Sequence, residues 1–165
     1  MNKTDEMRGK TACFTGHRQL ENPVSEIEHA LTKIVESLIQ KGYLYFGAGG
    51  ARGFDALASE VVLKLKAAYP QIHLILVLPF DGQYKRERNW TPEEIAQYHR
   101  LKERASKVVV LAAGYTPGIY YRRNKHLVEH SSACIAYMKK TNSGTGYTVN
   151  YAQEKGLEVV NIALF

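Results

Sequence analysis

A glycine-rich segment at residues 47–55, Gly-Ala-Gly-Gly-Ala-Arg-Gly-Phe-Asp, joins a short apolar run to an amphipathic one. Glycine lets backbone N–H groups approach an anion closely, and the N-terminus of a following helix adds partial positive charge. Arg52 adds a full positive charge. The segment therefore predicts a phosphate-binding site, with a simple strand-to-helix turn as the alternative. The ligand contacts predicted here are Gly47, Gly49, Gly50, Arg52, Gly53 and Asp55.

Further polar and turn residues lie next to other apolar runs and are also predicted to contact a ligand. They are Gly16, His17 and Arg18 after the first run, Pro79 and Phe80 after the third, Arg123 and Asn124 in a later helix, and Ser143, Gly144 and Thr145 at the start of the last helix. Because a guanidinium group matches two phosphate oxygens, Arg52 and Arg123 are predicted as phosphate clamps. Asp55 accepts ribose hydroxyls or stabilises the helix dipole. Residues 143–145 are predicted to hold a second anionic group or a ribose, or only to cap their helix.

Apolar runs and amphipathic helices alternate along the whole chain. The predicted strands are residues 11–15, 43–46, 72–78, 107–111, 134–138 and 158–162, and the predicted helices are residues 23–41, 54–69, 92–106, 121–130 and 144–155. Right-handed crossovers between such strands build a parallel sheet with helices on both faces. We therefore predict an α/β fold, a Rossmann-like three-layer sandwich with a central, mostly parallel sheet. Its ligand site is expected outside the carboxyl ends of the strands.

The composition describes a chain that buries one hydrophobic core. With 165 residues, of which 45% are hydrophobic and 23% charged, we expect a single domain over residues 1–165. No apolar run reaches the ~20 residues that cross a bilayer, which predicts a cytoplasmic protein without a membrane partner. Cys13 and Cys134 lie in apolar runs and are predicted as buried, reduced thiols. The net charge of +6 favours anionic partners such as nucleotides or nucleic acid. The alternative is a basic surface without a specific partner.

Two other patterns have competing interpretations. His126, Glu129 and His130 match the spacing of a zinc-protease motif, but few residues follow to supply a third ligand, so we expect no metal. Residues 81–107 carry basic side chains, including Lys85, Arg86 and Arg88, around Trp90 and Tyr98. Such a mixture is typical of nucleic-acid surfaces, although the acidic residues in the same segment favour a solvated helix face.

Several motifs occur together in the order of a known superfamily. They are Thr15-Gly16-His17-Arg18, Gly-Gly-Ala-Arg-Gly-Phe-Asp-Ala at residues 49–56, Arg123-Asn124-Lys125, and Ser-Gly-Thr-Gly-Tyr-Thr at residues 143–148. In these motifs the chain resembles the SLOG superfamily, and most of all its YpsA-like branch, from about residue 10 to the C-terminus. The resemblance implies a Rossmann-like SLOG domain, a ligand site at these motifs that includes Thr148, and a homo-oligomer paired through helices flanking the sheet.

Two related families imply different functions. DprA-like proteins bind single-stranded DNA and carry the element that residues 49–55 reproduce, with Phe54 in place of Ile. Lonely Guy phosphoribohydrolases carry a catalytic glutamate where this chain has Thr148, and threonine cannot supply that carboxylate charge. A sensor or adaptor is therefore favoured over an enzyme. We expect it to bind a nucleotide-like ligand such as AMP, ADP-ribose or an NAD-like molecule, and to require no cofactor. Single-stranded DNA binding and hydrolysis of a nucleoside monophosphate are the alternatives.

Overall fold

The computed structural model describes residues 2–164 of the chain and is built around a six-stranded sheet. The strands are β1 (Thr11–Gly16), β2 (Tyr45–Ala48), β3 (His73–Leu78), β4 (Lys107–Val110), β5 (Ala133–Tyr137) and β6 (Glu158–Asn161). Their order across the sheet is β4-β3-β2-β1-β5-β6, and every neighbouring pair is parallel. The all-parallel sheet confirms the predicted Rossmann-like α/β class.

Helices cover both faces of this sheet. They are α1 (Lys3–Arg8), α2 (Val24–Gln40), α3 (Phe54–Lys66), α4 (Gln83–Glu87), α5 (Pro92–Arg104), α6 (Ile119–Glu129) and α7 (Gly144–Glu154), with a 3-10 helix at Ile162–Leu164. Helices α2, α3 and α5 pack side by side on one face, and α6 and α7 pack together on the other. None of the helices formed by residues 2–164 is long and apolar enough to cross a membrane.

Each face of the sheet has its own hydrophobic core. On the face of α2 and α3, Phe14, Leu31 and Phe46 are buried together. On the opposite face, Cys13 and Cys134 are register partners in β1 and β5, and both thiols are free and buried as predicted. Because β1 is covered on both faces, its sequence is a continuous apolar run rather than an alternating one.

The order of the strands reverses beside β1. From β1 the chain builds β2, β3 and β4 on one side, and then crosses to β5 and β6 on the other. The connecting helices therefore leave the ends of β1 and β5 toward opposite faces. In parallel α/β sheets such a reversal opens a crevice at the carboxyl ends of the strands.

Some elements differ from those predicted. The sequence does not predict α1 and α4, since helices of 6 and 5 residues are too short to show an amphipathic repeat. Helix α4 lies between Gly82 and Arg88, which both have left-handed backbone conformations with φ of 78° and 62°. Helix α6 begins at Ile119 rather than at residue 121, directly after Gly118 with φ of 81°.

Candidate functional site

A cleft of about 390 Å³ opens at the end of β1, between the starts of α3, α6 and α7. Its size falls within the range of small-molecule sites, roughly 300 to 1,000 Å³. Four separate parts of the chain form its walls. The lining residues are Phe14, Thr15, Gly16, His17 and Arg18 at the end of β1, Ala51 and Asp55 beside the start of α3, Tyr120, Tyr121, Arg123 and Asn124 on α6, and Gly144 and Thr145 at the start of α7.

Arg123 is a buried cation in the wall of this cleft. Its side chain reaches from α6 to the glycine-rich segment, where Nη1 donates a hydrogen bond to the carbonyl of Gly49. Its Nε donates to Oδ1 of Asn124 at 2.8 Å. The residue is only 5% exposed, and burial lowers the pKa of the guanidinium while the nearby Asp55 carboxylate opposes that shift. Since arginine stays protonated in proteins, the cleft contains a charge held in a fixed orientation.

The glycines of residues 47–55 make room for protein atoms. A Cβ atom on Gly49 would lie 2.7 Å from Nη1 of Arg123, and one on Gly53 would lie 2.2 Å from the carbonyl oxygen of Arg18. Gly53 also has a φ of +79°, which side chains rarely tolerate. Residues 49 and 53 are therefore glycines because the side chain of Arg123 and the backbone of Arg18 occupy the space that a Cβ atom would need.

Asp55 is a buried carboxylate at the start of α3. Its Oδ2 accepts a hydrogen bond from the amide of Ala51 at 3.4 Å, so the protein's own carboxylate meets an amide of the glycine-rich segment. Burial raises the pKa of Asp55, and the charge of Arg123 lowers it by a smaller amount. Asp55 lines the cleft, and an ionised carboxylate accepts hydrogen bonds from hydroxyl or N–H donors.

Arg18 is the second arginine of the cleft. Its Nη2 lies 2.6 Å from a carboxylate oxygen of Glu87 on α4, and its side chain is 40% exposed. Its Cζ is 5.8 Å from the centre of the Tyr120 ring. Arg18 is thus more accessible than Arg123, and an anion entering the cleft would compete with Glu87 for it.

Tyr120 lies between the two arginines and is a site residue that the sequence analysis missed. The Cζ of Arg123 is 5.7 Å from its ring centre, similar to the distance from Arg18. Its hydroxyl oxygen is buried and has no hydrogen-bond partner among the described residues. Burial raises the pKa of this phenol. The available signal was its position one helical turn before Arg123, which places both residues on the same face of α6.

His17 positions the loop that leads into α7. Its Nε2 accepts hydrogen bonds from the amides of Lys139 at 2.9 Å and Lys140 at 3.1 Å. This geometry requires a neutral imidazole with its proton on Nδ1. Burial is the main reason that the pKa of His17 is lowered. His17 lines the cleft and also holds one of its walls in place.

The start of α7 presents backbone amides to the cleft. Ser143 caps the helix, because its Oγ accepts from the amide of Gly146 at 3.0 Å and donates to the carbonyl of Lys140 at 2.6 Å. Gly144 and Thr145 occupy the first two helical positions, whose N–H groups have no acceptor within a helix. Both residues line the cleft, so these amides are available to an anion.

The predicted ligand contacts are divided by the fold. Eight line the cleft, namely Gly16, His17, Arg18, Asp55, Arg123, Asn124, Gly144 and Thr145. The others lie outside its lining, namely Gly47, Gly49, Gly50, Arg52, Gly53, Pro79, Phe80, Ser143 and Thr148. Arg52 lies on the side of α5, with Nη1 3.7 Å from Glu94. The hydroxyl of Thr148 donates to the carbonyl of Gly144 at 3.0 Å within α7.

The histidine pair of α6 is a stacked surface feature. The rings of His126 and His130 lie 4.0 Å apart, and Nδ1 of His130 is 2.7 Å from the carbonyl oxygen of His126. No group of three or more His, Cys, Asp or Glu side chains in the described part of the chain is arranged to hold a metal ion.

The strand order and the crevice at its reversal define a Rossmann-like α/β protein with its candidate site at the carboxyl edge of the sheet. The chain belongs to the YpsA family, because the family model described as "YspA SLOG family" matches residues 13–162. This match confirms the SLOG resemblance found in the sequence motifs.

Individual relatives are similar over most of the chain. The SPbeta prophage-derived protein YoqJ of Bacillus subtilis strain 168 is 29% identical over 149 residues, which cover 82% of this chain and 85% of that protein. A UPF0398 protein of Halalkalibacterium halodurans is 27% identical over 135 residues, covering 80% of this chain and 70% of the relative.

Solved structures with a similar fold include two DNA processing proteins. DNA processing protein A from Helicobacter pylori, reported with its single-stranded DNA binding mode, matches with a TM-score of 0.64 and 18% identity, over 96% of this chain and 67% of that one. DprA from Streptococcus pneumoniae matches with a TM-score of 0.60 and 19% identity, over 94% of this chain and 50% of that one. The chain thus spans half the length of the pneumococcal protein. At these identities the likeness concerns the fold.

Proposed function

We propose that the cleft binds a nucleotide or a nucleotide-derived molecule through its phosphate, and that the protein acts as a sensor or adaptor. The observation that carries this proposal is the convergence of two arginines, Arg18 and Arg123, with the amides of Gly144 and Thr145 on one cleft. Positive charge and free helix amides together favour an anion with several oxygens, such as a phosphate.

The carboxylate of the cleft favours a sugar beside that phosphate. A purely anionic ligand, such as free phosphate, gains nothing from Asp55, because like charges repel at short range. A nucleotide separates its functions, since the phosphate binds the arginines and the ribose hydroxyls donate to a carboxylate. The aromatic rings of Tyr120 and Tyr121 in the cleft wall are suited to contact a sugar or a base.

Hydrolysis of a nucleoside monophosphate is the less favoured enzymatic alternative. The hydroxyl of Thr148 is engaged within α7, and Thr148 does not line the cleft. Asp55 is the carboxylate of the cleft, and its pKa is raised by burial. If the protein cleaves a glycosidic bond, Asp55 is the carboxylate that we expect to take part.

Single-stranded DNA is the second candidate ligand. It is favoured by the fold shared with the Helicobacter pylori protein and by the basic composition of this chain. A protein that contacts several phosphates of a single strand loses affinity steeply as salt rises. The logarithm of the binding constant falls against the logarithm of the salt concentration with a slope of about −0.7 per phosphate contacted. A cleft that holds one nucleotide produces a shallow salt dependence.

Calorimetric titration with AMP, ADP-ribose and an oligonucleotide at two salt concentrations tests the proposal. We expect saturable binding of AMP or ADP-ribose, a shallow salt dependence and no release of free base. Arg18→Ala is expected to weaken this binding. Its matched control is Arg122→Ala, because Arg122 is exposed on α6 and does not line the cleft. Absence of binding by any nucleotide at millimolar concentration would refute the proposed site, and catalytic base release would refute the sensor assignment.

A further inference from the structure

A basic and aromatic surface adjoins the cleft at the carboxyl ends of β3 and β4. We define it as the α4 patch, formed by Lys85, Arg86 and Arg88 of the α4 region together with Tyr115. These residues line an open hollow of about 650 Å³. The three basic residues belong to the segment at residues 81–107. Its charge pattern alone allows two interpretations, a nucleic-acid surface or a solvated helix face.

The two acidic residues closest to the patch are Asp81, which lines the same hollow, and Glu87 on α4, and both are paired with groups outside the patch. Asp81 accepts hydrogen bonds from Lys102 at 2.8 Å and from the hydroxyl of Tyr98 at 2.9 Å. Glu87 pairs with Arg18 and accepts from Trp90. The three basic side chains of the patch have no ion-pair partner among residues 2–164. The hollow therefore keeps an excess of positive charge, because its lining has three basic residues and one carboxylate, Asp81, which is already paired with Lys102.

The patch also contains a stacking surface. The Cζ atom of Arg86 lies 3.4 Å from the centre of the Tyr115 ring, and Tyr115 is 41% exposed. The ring of Phe80 supports Tyr115 edge-on at 6.3 Å. Exposed tyrosine rings and arginine planes are surfaces on which nucleic-acid bases stack. Of the aromatic residues noted in the sequence, Tyr98 is instead buried in the core and Trp90 packs against that core.

Tyr120 connects the α4 patch to the cleft. Its ring lies 6.1 Å from Phe80 and 6.3 Å from Tyr115. It also lies 5.8 Å from the Cζ of Arg18 and 5.7 Å from that of Arg123. The two basic surfaces are thus neighbours across a single aromatic ring, so one ligand can contact both.

We propose that the α4 patch is a second nucleotide subsite, and that the protein takes ligands in which two nucleoside phosphates are joined. This inference rests on the proposed function, since the first phosphate is assigned to the cleft. The second base stacks on the Arg86 guanidinium, whose other face lies against the Tyr115 ring, while Lys85 and Arg88 neutralise the additional phosphate. The shared chemistry is present both in a pyrophosphate-linked dinucleotide and in consecutive nucleotides of a single strand.

Binding of AMP, NAD, the dinucleotide pApA and a twelve-residue oligo-dA to the full chain tests this subsite. We expect NAD or pApA to bind about tenfold more tightly than AMP, the scale of one stacked base. Tyr115→Ala and Arg86→Ala are expected to abolish this gain and to leave AMP binding unchanged. Tyr115→Phe keeps the ring and Arg122→Ala removes a cation outside both surfaces, so both variants are expected to retain the gain.

The outcomes distinguish the two proposals. AMP binding without a further gain from NAD or pApA, or a gain that survives Tyr115→Ala, overturns the second subsite and leaves the proposed cleft intact. Failure of AMP, NAD and pApA to bind overturns the cleft and the subsite together. A gain with NAD alone supports a pyrophosphate-linked ligand. A gain with pApA that increases further with oligo-dA and falls steeply with salt supports a single strand.

Discussion

The guanidinium of Arg123 rests directly on the backbone of Gly49 and donates a hydrogen bond to its carbonyl oxygen. This contact links α6, on one face of the sheet, to the glycine-rich segment that begins α3 on the other. It explains why residue 49 has no side chain. It also holds the guanidinium of Arg123 in one orientation, although this residue is only 5% exposed.

Replacement of Gly49 by alanine is expected to destabilise the protein by about 1–3 kcal/mol, the usual range for overpacking. The new Cβ would lie 2.7 Å from Nη1 of Arg123 and would displace the guanidinium from the cleft wall. Gly114→Ala is the matched control, because a Cβ there meets nothing within 4 Å. Urea denaturation measures both variants. Equal stabilities would contradict the role assigned to the Gly49–Arg123 contact.

Arg18 and Glu87 provide a pair of variants with opposite effects on ligand binding. Arg18→Ala is expected to weaken AMP binding about tenfold, in line with a lost charge-assisted hydrogen bond. Glu87→Gln is expected to tighten it, because the carboxylate that lies 2.6 Å from Arg18 no longer competes with the phosphate. Calorimetric titration measures both. Weaker binding in Glu87→Gln would show that Glu87 positions Arg18 for the ligand rather than competing with it.

Asp55→Asn is expected to raise the melting temperature at neutral pH. Burial raises the pKa of Asp55 above its ordinary value of 3.8. Between the pKa of the unfolded state and that of the folded state, the folded protein therefore binds more protons than the unfolded chain. The unfolding free energy of the wild type therefore falls as the pH rises from about 4 through the folded pKa, and asparagine lacks this loss. Thermal scans between pH 4 and 7.5 should show the advantage of the variant growing with pH. An advantage that is constant over this range would contradict the raised pKa.

His17 is expected to protect the amides of Lys139 and Lys140 in a pH-dependent way. Its pKa is lowered from 6.5 by burial, so its contribution to stability is present above pH 6.5 and is lost as the pH falls through the folded pKa. Protonation removes the acceptor that both amides use. Hydrogen exchange, corrected for the intrinsic rate, should show less protection of these amides at pH 5 than at pH 7.5. In His17→Ala the protection should be low at both pH values.

A homo-oligomer remains a prediction from the family resemblance, and the surface of α6 and α7 offers a place for it. Tyr121 and Tyr147 are 50% and 42% exposed, and their rings lie 4.9 Å apart. Exposed tyrosine pairs suit interfaces because they combine apolar area with a polar tip. Sedimentation at tens of micromolar should show a species larger than 18.6 kDa, reduced by Tyr121→Ser with Tyr147→Ser. A single 18.6 kDa species would contradict the assembly.

The architecture could be predicted because its signals are local. Apolar runs and amphipathic stretches are readable from neighbouring residues, and the six strands and five helices that they predict are present in the fold. Alternating strands and helices then imply a parallel sheet whose ligand crevice lies at one edge. For the same reason the sequence placed Arg18, Asp55, Arg123 and the start of α7 at a common rim.

Only the tertiary structure decided which side chains of that rim face one another. In the sequence Arg52 and Arg123 are equivalent candidates for a phosphate, yet Arg52 lies beside Glu94 and only Arg123 lines the cleft. Tyr120 became a site residue because it packs between Arg18 and Arg123, which are distant from each other in the sequence. The direction of a loop or helix side chain depends on contacts with residues distant in sequence, and the local patterns of charge and hydrophobicity do not contain that information.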